Sequence, residues 1–105
     1  IKTGGANVSP TEIDAILAEH SGIQAAFTVG VPHDALGELV VSCVISREGH
    51  CLNEEGVRAF VKESLASFKV PRRVLFFAEA ELPMTGSNKV RRGELKELVI
   101  ARLDA

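Results

Sequence analysis

The apolar positions of this 105-residue chain change period several times along its length. Ile13, Ile16 and Leu17 recur at the spacing of one helix face. Ser9-Pro10-Thr11-Glu12 stands before them as a capping box with proline at the first helical position. Ser9 is expected to accept from the amide of Glu12, and Glu12 to reach back to the amide of Ser9. The helix should end near His20-Ser21-Gly22. From Ile23 to Val31 the chain is apolar and rich in β-branched residues, which predicts a strand. Pro32-His33-Asp34 and Gly37 punctuate a turn. Leu39, Val41, Cys43 and Ile45 then alternate with Val40, Ser42, Val44 and Ser46, a strand with one strongly apolar face and one milder face.

Asn53 is placed to cap a second helix whose stripe is Val57, Phe60, Val61 and Leu65. Lys69-Val70-Pro71 breaks it, because proline disfavours the helical conformation of the residue before it. Arg73 to Ala78 predicts a third strand, Leu82 to Asn88 a loop, and Leu95, Leu98, Val99 and Leu103 a last helix. Each helical stripe is narrow, so each helix needs a sheet face to cover it. The expected fold is α+β: a two-layer α/β arrangement of about three central strands flanked by three helices, with room for a small N-terminal hairpin. Repeats, low-complexity segments and internal linkers are absent from the sequence, so residues 1–105 read as one domain.

Composition narrows the function classes. The hydrophobic fraction of 46% and charged fraction of 25% are ordinary for a globular domain. No apolar run approaches the ~18 residues of a membrane span. Cys43 and Cys51 are too few for a disulfide scaffold and read as reduced thiols, which points to the cytoplasm. The net charge of −2 argues against general nucleic-acid binding. Between Lys69 and Lys96, however, seven basic residues face three acidic ones, a local excess of four positive charges. Such a patch on an acidic domain suits a small phosphorylated ligand, although a solvated charged face is the commoner explanation.

Three segments could carry chemistry. In Thr3-Gly4-Gly5-Ala6-Asn7-Val8-Ser9-Pro10, two glycines allow positive φ and close approach of another group; on composition alone a simple turn before a capped helix is the commoner explanation. In Pro83-Met84-Thr85-Gly86-Ser87-Asn88-Lys89-Val90-Arg91-Arg92, a polar loop presents one lysine just before a helix. Its ammonium is a mobile point charge suited to phosphate and carboxylate oxygens, but an isolated surface lysine looks the same. In Ser67-Phe68-Lys69-Val70-Pro71-Arg72-Arg73, an aromatic ring beside several cations could stack a base and bind phosphates; the alternative is a core phenylalanine among solvated cations. His33 beside Asp34 lacks a nucleophile to complete a triad and reads as a turn residue.

Taken in order and at these distances, the segments resemble the small C-terminal lid domain of the acyl- and aryl-CoA synthetases, luciferases and peptide-synthetase adenylation domains. The resemblance spans essentially the whole chain. Gly-Gly-Ala-Asn-Val-Ser-Pro resembles that family's glycine-rich loop, and Val31-Pro32-His33 with Gly37-Glu38 its turn between two strands. Leu65 to Pro71 resembles the segment before its third strand, and Leu82-Pro83 through Lys89 and Arg91-Arg92 the segment holding its catalytic lysine. Asn88 departs from it, since many relatives have glycine before the lysine. Asparagine tolerates the left-handed region best after glycine, so the loop is expected to keep its shape.

The resemblance implies a ligase that uses ATP, Mg²⁺, a carboxylic acid and coenzyme A, and that forms an acyl-adenylate and then a thioester. Lys89 would be the catalytic residue of adenylation. Gly4 and Gly5 would line the pantetheine tunnel, and Phe68, Lys69 and Arg72 would meet the CoA nucleotide. The ATP and acyl pockets and the hinge would belong to an N-terminal domain upstream of Ile1, so the fragment alone is expected to be inactive. A fatty or other hydrophobic acid is the expected substrate. The alternatives are an adenylation domain serving a carrier protein and, resting only on the basic patch, a stand-alone nucleotide- or nucleic-acid-binding module.

Overall fold

A computed structural model describes residues 1–87 and 89–104. Its centre is the antiparallel pair β3 (Ile23–His33) and β4 (Gly37–Ser46), joined by the short turn 34–36 and paired from Ile23↔Ser46 to His33↔Gly37. β3 occupies one edge of β4 along its length. The other edge is shared by two strands: β1 (Lys2–Thr3) pairs at Gly37, and β5 (Arg73–Phe76) runs parallel over Val41–Val44. β2 (Ala6–Asn7) folds back on β1 and completes the expected N-terminal hairpin.

The α+β class and the strands β3, β4 and β5 agree with the sequence, although β3 runs on through Pro32 and His33 and β5 stops at Phe76. The layering is fuller than a two-layer stack. Helices α1 (Pro10–Ala18) and α2 (Glu54–Lys62) cover one sheet face, where Ile13, Leu17, Val57 and Val61 pack on Val40 and Val44. Helix α3 (Arg92–Leu103) covers the other, with Leu95 and Val99 against Val41, Cys43 and Ile45. The reason lies in β4. Its milder face is buried as completely as its apolar one, because Ser42 satisfies its hydroxyl on Thr28, Oγ to Oγ1 at 2.8 Å, and costs little to bury. A sheet apolar on both faces must be covered on both.

Several boundaries differ from the sequence reading. α2 ends at Lys62, yet Leu65 still packs on the core from the turn that follows, so the apolar period outlasts the helix. Leu98 is 39% exposed, leaving Leu95 and Val99 as the buried stripe of α3. At the start of α1, Ser9 Oγ accepts from Glu12 N as expected, but the Glu12 carboxylate turns to Lys69 Nζ at 3.2 Å rather than back to the Ser9 amide. Asn53 caps α2 through Gly56 N at 2.7 Å. No helix among the described residues is long and apolar enough to cross a membrane.

Candidate functional site

Gly4 and Gly5 form the two-residue turn of the β1–β2 hairpin, with φ of 58° and 85°. A type I′ turn demands positive φ at both central residues, which is why two glycines stand here rather than one. A β-carbon at Gly5 would meet nothing of this chain within 4 Å. Its side-chain position faces open space, available to a group from outside the domain. Gly4 N donates to Leu36 O at 2.9 Å, which ties the turn to the β3–β4 connection. His33 orders that connection in turn: its Nδ1 accepts from Ala35 N and Leu36 N at 3.2 and 3.0 Å. The sequence placed this histidine in the turn; it is instead the last residue of β3, paired with Gly37, and holds the turn from the strand end.

The glycine turn and the Phe68–Arg72 segment meet. Thr3, Gly4, Leu36, Val40, Phe68 and Arg72 line one cleft of ≈ 360 Å³ on the α1–α2 face. Phe68 sits on a turn of 3₁₀ helix (Ser67–Lys69) and is 53% exposed, so it is not a core residue. An exposed ring beside Arg72 is a surface on which a base can stack with a phosphate alongside. Lys69 lies differently. It pairs with Glu12, passes 5.8 Å from the Phe68 ring centroid, and lines the neighbouring cleft with Ser9 and Pro10. A second cation of the main cleft escaped the sequence reading: Arg58 of α2, whose Nε donates to Pro71 O at 2.9 Å. In sequence it looked like one more polar position opposite an apolar stripe.

Lys89 stands apart from this cleft. Met84 and Val90 bridge as an antiparallel pair and pack against the α3-face cluster, which places the lysine loop on that side of the sheet. The loop is closed by Arg91 N to Pro83 O and Thr85 N to Lys89 O, both 2.7 Å. Thr85 Oγ1 also accepts from Ser87 N at 3.3 Å and Lys89 N at 3.1 Å. Lys89 itself is exposed. The expectation about the geometry of Asn88 lies outside the described residues. Among the described residues no three His, Cys, Asp or Glu side chains converge on a metal-sized site.

These features can be set beside known proteins. The family model of the AMP-binding enzyme C-terminal domain matches residues 12–89. The chain is 41% identical over 103 residues to a probable CoA ligase of Humulus lupulus, covering 98% of this chain and 19% of that protein. It is 44% identical over 92 residues to the oxalate–CoA ligase of Arabidopsis thaliana, covering 88% and 18%. The structure superimposes on ATP-bound MatB from Rhodopseudomonas palustris with a TM-score of 0.86 at 33% identity, covering 93% of this chain and 19% of that one. The fold and the match over most of its length define an AMP-binding enzyme's C-terminal domain, and this chain belongs to that family. It spans about a fifth of the length of the relatives it matches.

Proposed function

We propose that this chain is the mobile C-terminal domain of an AMP-forming ligase that joins a carboxylic acid to coenzyme A in the cytoplasm. The observation that carries the reading is the division of the candidate residues between two faces: Lys89 on the α3 side, and Gly4, Phe68 and Arg72 on the α1–α2 side. A domain with two working faces suits a reaction of two steps. In the first, the carboxylate oxygen attacks the α-phosphorus of ATP, the P–O bond to pyrophosphate breaks, and the acyl-adenylate forms. Two anions approach each other there, and the Lys89 ammonium between them offsets their repulsion. In the second, after rotation of the domain, the CoA sulfur attacks the acyl carbon and AMP leaves.

The bare turn at Gly4-Gly5 would then flank the pantetheine arm, while Phe68 and Arg72, with Lys69 nearby, receive the nucleotide. Mg²⁺ would neutralise the triphosphate and, like ATP and the acyl group, would be held by an N-terminal domain. A fatty or other hydrophobic acid is the substrate class proposed.

The test is made in the full-length enzyme. Lys89→Ala should lower adenylate formation by roughly 10²–10³-fold, the usual cost of removing one electrostatic stabiliser. Thioester formation from preformed acyl-adenylate should be largely spared. Equal loss of both half-reactions would overturn the assignment. Turnover with a phosphopantetheinyl carrier protein but not with free CoA would move the reading to a carrier-dependent adenylation domain.

A further inference from the structure

Arg92 occupies a position that helix electrostatics disfavours. It is the first residue of α3, at the end where the macrodipole is positive and acidic side chains are preferred. Apolar packing does not secure this end. Arg92, Gly93 and Glu94 are all exposed, the first buried residue is Leu95, and Arg91 at the N-cap makes no side-chain cap. The guanidinium secures it instead. Nη1 donates to Thr28 O at 2.6 Å and Nη2 to Asp14 Oδ2 at 3.2 Å. Thr28 lies in β3, whose outer edge has no strand partner among the described residues, and Asp14 lies on α1, on the far side of the sheet. Arg92 therefore reaches round the open edge of the sheet and fastens the first turn of α3 to the opposite helical layer.

Asp14 is built for this contact. Its side chain is 19% exposed, and its Oδ1 is buried without a hydrogen-bond partner. Burial raises its pKa, against the opposing pull of Thr28 and Arg92. Holding a carboxylate in that partly buried place is costly, so its contacts with Thr28 and Arg92 point to a purpose.

That purpose is three residues away. The Lys89 loop is fastened to itself through Thr85, and its base, Pro83 with Arg91, abuts the first turn of α3. Whatever aims that turn aims the loop. We infer that Arg92 is the positioning residue for Lys89, its bridge to Thr28 O and Asp14 setting the direction in which the loop presents the ammonium. The inference rests on the reading of Lys89 as the adenylation lysine.

The experiment measures both half-reactions in the full-length enzyme. Arg92→Gln should lower kcat for adenylation by roughly 10–100-fold, the scale of a misplacement near 1 Å, with KM for ATP and acid within about twofold. Thioester formation from preformed adenylate should stay within about twofold. Arg92→Lys, which keeps the charge but lacks the planar fork that reaches both acceptors, should recover part of the loss. Because Arg92 acts through Lys89, the double variant Lys89→Ala/Arg92→Gln should be no slower in adenylation than Lys89→Ala alone. Equal loss of both half-reactions, unchanged adenylation, or additive losses in the double variant would each overturn the inference. Should Arg92→Gln not fold, Asp14→Asn removes the carboxylate charge while keeping its shape, and the same selective loss is expected, smaller in size. Intact adenylation in Lys89→Ala would instead overturn the underlying reading, so the two failures are distinguishable.

Discussion

Cys43 and Cys51 look alike in composition but occupy opposite environments. Cys43 is fully buried in β4, and burial, reinforced by the nearby Asp14 charge, pushes its thiol up to about 12 from an ordinary value of 9.0. Cys51 is exposed. Only a thiolate in contact with solvent reacts with an alkylating reagent. Iodoacetamide at pH 8 should therefore label one thiol of the native domain, at Cys51, and two after denaturation; mass spectrometry of the native protein showing label at Cys43 would contradict this. The same shift limits alkaline stability. The unfolded chain releases the Cys43 proton near 9 and the folded chain near 12, so stability present below that window should decline as pH rises through it. The sequence made Cys43 legible, since it falls on the apolar parity of a strand. Arg92 was not legible: it read as part of a basic run, and its partner Asp14 is 78 positions away among the polar residues of a different helix.

The strands show why some elements could be anticipated and their supports could not. Periodicity identified β3, β4 and β5 because burial selects side chains by face. The edges of a sheet carry no such period, yet unpaired backbone groups there must be satisfied or blocked. Here charged side chains do it: Arg92 on Thr28 O, Arg102 on Phe76 O at 3.0 Å, and Glu54 on Val74 N at 2.8 Å. Each bond joins a strand to a residue distant in sequence, so spacing does not announce it. Glu54 also accepts from Arg73 Nε at 2.8 Å. Burial pushes its carboxyl up, but the Val74 amide and Arg73 outweigh that, and the net shift is downward from 4.5. The unfolded chain therefore takes up the proton first as pH falls. The contribution of Glu54 is present above about pH 4.5 and is lost as pH drops through the lowered folded value. Urea denaturation should show a smaller drop in stability between pH 6 and pH 3 for Glu54→Gln than for the unsubstituted domain. Parallel pH profiles for the two proteins would show that this edge contact carries no charge-dependent stability.

At the scale of the whole molecule, the sheet separates two groups of candidate residues that follow one another in sequence. The glycine turn lies at the start of the chain and Phe68 and Arg72 some two-thirds of the way along it, yet folding gathers all three over Val40 and Leu36. Lys89, only seventeen positions beyond Arg72 in sequence, goes to the other face because Met84 and Val90 pack with α3. The motifs were recognisable from their order. Their division between faces was not, because it depends on β5, a strand of the sheet itself, lying between them in the chain. This division makes a prediction that loss of stability alone cannot mimic. In the full-length enzyme, Arg72→Glu replaces a cation of the cleft with a charge that repels phosphate, and losing one charge-assisted bond is worth about 1.5–3 kcal/mol, or roughly 10–100-fold. The thioester half-reaction with CoA should fall by at least that factor, while adenylation, which the proposed function assigns to the other face, should change by less than about twofold. Pantetheine, which lacks the nucleotide phosphates, should be used equally well by the variant and the parent. A general loss of activity would instead lower adenylation as well. If the variant impaired adenylation as much as thioester formation, or slowed pantetheine as much as CoA, the two faces would not be serving separate steps.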